Sequence, residues 1–233
     1  YPVFAHLPFV MGQDNAKLSK RNGEVSIAWY RDKGFLPEAI CNYLALLGWS
    51  PGDDRENVTM KELTELFTVE KVHSSPARFD MKKLEAINGD KIRALTIDEF
   101  LDWSLPFLTK AGVVSGSADE IALVKLALPL IQERIIMLSE VPAMLKFLFV
   151  KNFAVEADSV AKITDDASKQ VLERSLKELE PLATWTHESI EAALRSSLIE
   201  EMGLKPRIAF GAVRIATTGS TISPPLFESM ELL

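Results

Sequence analysis

The chain has 233 residues, 47% of them hydrophobic and 25% charged, with a formal net charge of −7. That is enough for one large or two smaller soluble domains, and the most apolar run, Ile121–Ile131, is too short for a bilayer and carries Lys125 and Pro129. One cysteine, Cys41, excludes an internal disulfide or a cysteine-rich metal site, and the scattered His6, His73 and His187 argue against a histidine metal cluster.

Residues 1–15 read as extended and apolar, ending in the turn-like Gly12-Gln13-Asp14-Asn15. The opening at Tyr1, inside an apolar segment, has the look of the interior of a longer protein and carries no signal peptide pattern. From Leu36 the pattern is helical: Pro37 suits a first turn, Ile40, Leu44 and Leu47 recur at helix spacing, and Gly48 closes the end. Cys41 lies in that apolar run and is expected to be buried. Thr59-x-x-Glu62 reads as a capping box opening a helix through Phe67. A further helix is expected to run to Ile87 and break at Asn88-Gly89. Thr96-x-x-Glu99 and Ser117-x-x-Glu120 open two more, with Pro129 kinking or splitting the apolar helix that follows. Amphipathic helices are expected over Asp166–Leu179 and Glu188–Met202, and short strands near Val3–Val10, Val25–Trp29 and Val213–Thr217. The fold class that results is mainly α, a small mixed α/β region followed by an all-α helical bundle.

Charge is unevenly laid out. Residues 53–70 hold six acids and two bases, and residues 156–201 hold eleven acids and five bases, which read as solvated acidic faces. Residues 71–93 instead carry six bases and three acids, and Met202 to Phe227 contains Lys205, Arg207 and Arg214 with no carboxylate. A second basic cluster is Lys17-Leu18-Ser19-Lys20-Arg21. Local positive stretches on an acidic chain, far apart in sequence, fit a long polyanion gripped at two points, such as tRNA.

Taken alone, Lys17-Leu18-Ser19-Lys20-Arg21 fits a solvated loop. Its place after a strand-like segment and a glycine turn is also where an α/β sheet presents phosphate-binding residues. Paired lysines beside a hydroxyl supply charge and a short donor to phosphate oxygens. Arg134 poses a different problem: it falls in Glu133-Arg134-Ile135-Ile136, inside an apolar helix pattern where an unpaired guanidinium is costly. An ion pair or a long stem reaching solvent would satisfy it.

Five blocks carry a resemblance. His6-Leu7-Pro8, the Lys17–Arg21 loop, Asn42-Tyr43-Leu44-Ala45-Leu46-Leu47-Gly48-Trp49-Ser50, Ser75-Pro76-Ala77-Arg78-Phe79-Asp80 and Leu226-Phe227-Glu228 stand in the order seen in bacterial glutamyl-tRNA synthetases, across nearly the whole chain. The resemblance implies that the loop is the family's variant of the class I "KMSKS" signature. Lys20 would then bind ATP and stabilise the pyrophosphate leaving group, while Lys17 and Ser19 would support the closed loop. The parent enzyme it implies is a glutamate–tRNA ligase that is cytoplasmic and monomeric. Its substrates would be glutamate, ATP with Mg2+, and tRNA-Glu, with no protein-held metal. The family's His-x-Gly-His signature and glutamate pocket are absent from these residues, so catalysis by this chain alone is not expected.

The resemblance also implies a helical anticodon-binding region. Arg214-Ile215-Ala216-Thr217-Thr218-Gly219 and Ser223-Pro224-Pro225-Leu226-Phe227 match the family pattern, which places anticodon contacts at Arg214, Ser223, Pro224, Leu226 and Phe227 and a reader of the third anticodon base at Arg134. Unstacked anticodon bases need apolar platforms and edge donors, roles that Pro224, Leu226, Phe227 and Arg214 suit. Alternatively, Leu226 and Phe227 are core residues of a terminal helix. Arg78, Lys82 and Lys83, expected on one helical face, match the stem-contact region. The implied division is 1–15 tail of the catalytic domain, 16–93 signature loop and stem-contact domain, and helical anticodon subdomains over 94–152 and 153–233. Two rival readings are a stand-alone tRNA-binding module and a helical adaptor for another protein.

Overall fold

The computed structural model describes residues 1–2, 4, 6–12, 14–19, 26–151, 153–155 and 157–233. Packing divides them into two units: residues 1–96 with 135–140, and residues 97–134 with 141–233. The fold is mainly α. Among the described residues β structure is confined to two isolated bridges, Met11 with Lys17 and Met11 with Arg78. No helix among them is long and apolar enough to cross a membrane.

In the first unit, α1 (Ile27–Lys33) starts at Ser26, whose Oγ accepts from the Trp29 amide at 3.1 Å, and ends at Gly34 with φ 86°. The strand expected at Val25–Trp29 is therefore a helix from Ile27 onward, because the Ser26 cap and the left-handed Gly34 bracket one short helix. Three more helices follow: α2 (Pro37–Leu46), α3 (Met60–Leu66) and α4 (Met81–Ala94). α3 opens with the Thr59–Glu62 capping box. α4 packs on α2, burying Ala39, Tyr43, Leu84, Ile87 and Ile92.

Asn88-Gly89 does not break α4, contrary to the sequence expectation. The Asn88 side chain is buried, with Oδ1 accepting from the Leu36 amide at 2.8 Å and Nδ2 donating to the Ile136 carbonyl at 2.6 Å. At Gly89 a Cβ would stand 3.2 Å from Ile136 Cγ2. The pair that reads as a turn is a joint: a satisfied buried amide costs little, and the glycine lets the 135–140 segment approach.

Cys41 is exposed, not buried, since α2 turns Ala39, Asn42 and Tyr43 inward. Buried Asn42 donates to the Glu56 carbonyl at 3.0 Å and accepts from the Val58 amide at 2.9 Å, stapling the incoming loop to α2. Lys91 Nζ closes the same node by donating to the Val58 carbonyl at 2.9 Å; burial pushes its proton affinity down.

The second unit holds α5 (Ile97–Lys110), α6 (Ala118–Ala127), α7 (Pro129–Gln132), α8 (Val141–Phe149), α9 (Ala157–Val160), α10 (Asp166–Leu179), α11 (His187–Leu194), α12 (Pro206–Thr218) and α13 (Leu226–Glu231). Pro129 splits the apolar run into α6 and α7, since its ring cannot continue the helical hydrogen bonding. α11 runs on as a π-helical segment, Arg195–Glu201. Val213–Thr217, expected as a strand, is helical within α12. Burying Ala209, Ala212, Val213 and Ile215 along one face outweighs the β preference of single residues. One core of this unit gathers Val171, Ile190, Leu194, Leu198, Ala209, Ala212, Val213, Leu226 and Met230.

Candidate nucleic-acid interface

Three turns of backbone set up the first candidate region. Leu18 N donates to the Val10 carbonyl at 2.9 Å, Gly12 N to Ala16 O at 2.8 Å, and Ala16 N to Asp14 Oδ1 at 3.0 Å, so residues 14–18 fold back on residues 10–12. Met11 ties this hairpin to the segment before α4, donating to Ala77 O at 2.9 Å and accepting from Phe79 N at 2.8 Å. Lys17 is exposed with Nζ 3.8 Å from the Phe9 ring centroid, a cation–π contact. Ser19 is exposed, and Lys20 lies outside the described residues. Beneath the hairpin, Val10, Leu18, Ile27, Ile40, Leu44 and Phe79 help line an apolar cavity of about 210 Å³. The periodic Ile40 and Leu44 of α2, with Leu47 at its C-cap, face this cavity and not a closed core.

The three stem-contact candidates do not share a helical face. Arg78 precedes α4, which starts at Met81 behind the Asp80 cap, and its Nη2 donates to Asn15 Oδ1. Lys83 Nζ pairs with Glu56 Oε1 at 2.7 Å. Lys82 is exposed, with no partner among the described residues.

The second region is in the other unit. Arg214, on α12, donates from Nη1 to Ser223 Oγ at 2.6 Å and to the Pro224 carbonyl at 2.7 Å. That grip fixes the loop between α12 and α13. Gly219 makes the loop possible: its φ is 78°, and a Cβ there would stand 2.7 Å from the Phe153 ring. Thr218 Oγ1 lies 2.8 Å from Arg214 O and 3.2 Å from Ser220 O, the hydroxyl tightening the same turn.

Arg134 is not inside an apolar helix. α7 ends at Gln132, and Arg134 sits exposed in the turn beyond it, where its amide donates to Ile131 O at 2.8 Å. Solvent carries its charge, so no burial cost arises, and no carboxylate among the described residues pairs with it. It stands near Arg214: burial first, and then the Arg134 charge, push the Arg214 proton affinity down, with Glu228 opposing.

Ser223, Pro224 and Leu226 are buried, and Leu226 belongs to the core, so neither Pro224 nor Leu226 offers an open face to a base. Phe227 is half-buried and meets Phe210 edge to face, ring centroids 5.2 Å apart. The Arg195 guanidinium lies over Phe210 at 5.6 Å while its Nε pairs with Glu191 at 2.6 Å. Arg195 and Phe210 escape a reading based on local motifs. The available signal is the helical spacing of Arg207, Phe210, Gly211 and Arg214 along α12. Among the described residues, no group of His, Cys, Asp or Glu is arranged to hold a metal ion.

Family models match two parts of the chain. A family model described as an anticodon binding domain matches residues 93–233, and one described as the catalytic domain of class I tRNA synthetases (E and Q) matches residues 1–86. All of this chain aligns with a glutamate–tRNA ligase of Saccharopolyspora erythraea at 49% identity, covering 47% of that protein, and with one of a Nocardioides species at 48% identity, covering 48% of it. The chain belongs to the glutamate–tRNA ligase family.

It spans about half the length of the curated relatives it matches. A crystal structure of a glutamate tRNA ligase from Elizabethkingia meningosepticum in complex with its amino acid superposes with a TM-score of 0.80 at 25% identity. The match covers 100% of this chain and 49% of that one. A glutamate–tRNA synthetase from Elizabethkingia anophelis gives 0.77 at 26% identity, covering 100% and 48%. As a member of the glutamate–tRNA ligase family, the chain carries its exposed Arg134 and the Arg214-held loop in the part that matches the anticodon binding domain.

Proposed function

We propose that this chain is the tRNA-gripping part of an ATP-dependent glutamate–tRNA ligase, and that its second unit reads the anticodon of tRNA-Glu. The observation that carries this reading is the grouping of Arg134, Arg214 and the Ser223–Phe227 loop: an exposed, unpaired guanidinium beside a second one that fixes a loop ending in a half-open aromatic ring. A free guanidinium can donate two parallel hydrogen bonds to a base edge, which suits discrimination at one anticodon position. Ser223, Pro224 and Leu226 serve this reading by holding Phe227 and the loop backbone in place. Functionally the chain divides into 1–15 and 16–93, carrying the signature loop and stem contacts, and 94–152 and 153–233, carrying the anticodon site.

The first unit supplies phosphate chemistry. Lys17 and Ser19 are exposed on the Met11-anchored hairpin, and a cation beside a hydroxyl suits the oxygens of ATP. ATP with its magnesium ion, glutamate and tRNA are substrates of the whole enzyme. Lys82 is the stem-contact candidate with an uncommitted charge, whereas Arg78 and Lys83 already hold Asn15 and Glu56.

The test is a titration of the chain with a tRNA-Glu transcript, the same transcript with its third anticodon base changed, and an unrelated tRNA, at two salt concentrations. The expected preference for tRNA-Glu is about 1–3 kcal/mol at that base, the scale of a good bidentate contact to DNA, and Arg134→Ala abolishes it. Equal, salt-dependent binding to all three RNAs removes the anticodon assignment. Absence of binding at the lower salt removes the RNA reading of this chain.

A further inference from the structure

α12 contains a glycine that its packing does not explain. Gly211 lies in the middle of Pro206–Thr218, where glycine is a poor helix former. Other glycines answer to a constraint, as at Gly34, where a Cβ would stand 2.6 Å from the Leu138 amide nitrogen, or at Gly219 with its left-handed φ. Gly211 has neither reason: a Cβ built on it meets nothing within 4 Å. Its backbone faces open space.

The surroundings of that bare turn are cationic. Arg207 lies four residues before Gly211 and Arg214 three residues after, so both flank it on one face of the helix. Arg207 and the preceding Lys205 are exposed and have no ion-pair partner among the described residues. Arg214 spends Nη1 on the loop, and its guanidinium has further N–H groups. Phe210, between the arginines, forms a side wall stiffened by Arg195 over its ring and by Phe227 against its edge. Of the acids on this side, Glu191 is already paired with Arg195, and the field of Glu228 reaches Arg214.

We propose that Gly211 is a crossing point for RNA, where the sugar–phosphate backbone of a single strand lies directly against α12 with Arg207 and Arg214 holding phosphates on either side. A side chain at this position would lift the strand off the helix, which is a reason for glycine to stand here although it weakens the helix. The charge pattern selects the occupant: a strip with cations at both ends and no carboxylate of its own complements a polyanionic strand. The inference rests on the RNA reading of this unit and adds a contact that base recognition does not require.

The experiment compares the whole chain with Gly211→Ala, Gly211→Leu and Arg207→Gln, measuring thermal midpoint and the affinity for a tRNA-Glu transcript by fluorescence anisotropy at several salt concentrations. Gly211→Ala is expected to melt at or above the wild-type temperature yet bind about fivefold more weakly, and Gly211→Leu to lose more than tenfold. Arg207→Gln is expected to flatten the salt dependence by about 0.7 units of slope, one single-strand phosphate contact. Wild-type affinity in both glycine variants overturns the crossing point while leaving RNA binding itself intact. If the glycine variants melt early, Arg207→Gln decides alone, and an unchanged affinity and slope overturns the proposal. Poly-glutamate competing as well as the transcript would assign the strip to an acidic protein and overturn the RNA occupant. A wild-type chain that binds no RNA at low salt removes the underlying reading instead.

Discussion

Arg214 Nη1 donates to Ser223 Oγ at 2.6 Å, and through the same nitrogen to the Pro224 carbonyl at 2.7 Å, so one guanidinium fastens the α12–α13 loop to α12. Arg214→Ala leaves a buried hydroxyl and a carbonyl without that donor, at a cost of about 1.5–3 kcal/mol for hydrogen bonds to a charged group. Arg214→Lys keeps the charge and loses the planar fork, so it is expected to recover only part of the stability. Urea melts of the three proteins check this. Equal midpoints would mean that the loop holds itself.

Gly219 carries two demands at once. Its left-handed backbone ends α12, and the Phe153 ring occupies the place of a side chain. Gly219→Ala is therefore expected to cost more than the roughly 1 kcal/mol of a strained φ alone, because the ring must also move. Calorimetry of Gly219→Ala, with and without Phe153→Leu, separates the parts: the smaller side chain should return some of the lost stability to the double variant.

Asn88 links α4 to two other pieces of backbone, accepting from Leu36 N and donating to Ile136 O. Asn88→Ala strands the buried Leu36 amide, at about 1–3 kcal/mol when unsatisfied, and removes the donor to the half-buried Ile136 carbonyl. Asn88→Asp keeps the acceptor for Leu36 N, loses the donor to Ile136, and buries a charge, so it is not expected to rescue the fold. Hydrogen exchange at the Leu36 amide reports the contact directly and should accelerate in Asn88→Ala.

How much of this was legible depends on the range of the force involved. Thr59-x-x-Glu62 and Ser117-x-x-Glu120 read correctly because a capping box is closed by residues one turn apart. Pro129 read correctly because its ring acts on its own helix. Asn88-Gly89 misled because its partners are 52 and 48 residues away, and a local turn preference is weaker than a satisfied buried amide. Arg134 misled in the same way: an apolar sequence pattern surrounds a residue that leaves the helix at Gln132 and reaches water. The motif Arg214-x-Ala216-x-Thr218-Gly219 announced a site, and only its fold showed that Arg214 spends one nitrogen on holding the loop.

Glu120 gives the start of α6 an acid-side dependence. Its Oε2 accepts from Ser115 Oγ at 2.7 Å, Ser115 N at 2.9 Å, Gly116 N at 3.0 Å and Ser117 N at 3.1 Å. These bonds, the Ser115 hydroxyl foremost, pull its pKa to about 2. A depressed carboxyl contributes stability above its unfolded value of roughly 4.5, and that contribution is lost as pH falls through the folded value. The gap in melting temperature between wild type and Glu120→Gln should thus be full at neutral pH and close in acid. A gap that stays constant down to about pH 2 would show that the carboxylate charge contributes nothing.

His187 acts on the opposite side. Its Nδ1 lies 2.8 Å from Glu231 on α13 and its Nε2 3.2 Å from Glu188, while Trp185 Nε1 donates to the Met230 carbonyl at 2.8 Å beside them. The hydrogen bond to Glu231 raises the imidazole above its ordinary value; desolvation opposes it, and the charges of Glu188, Glu231 and Glu228 add to the rise. A raised histidine stabilises the fold fully below the unfolded pKa of about 6.5 and loses that contribution as pH rises through the higher folded value. The α13 anchor is therefore expected to be firmer in mild acid. Melting of wild type and His187→Gln at about pH 5.5 and about pH 8.5 should show a wider gap at the lower pH, and the protection of the Ser229 and Met230 amides, with the intrinsic base-catalysed exchange rate divided out, should fall with alkalinity in the wild type only. Equal gaps at both pH values would reduce His187 to a neutral hydrogen-bonding group, leaving Trp185 as the tie between α11 and the helix that bears Phe227.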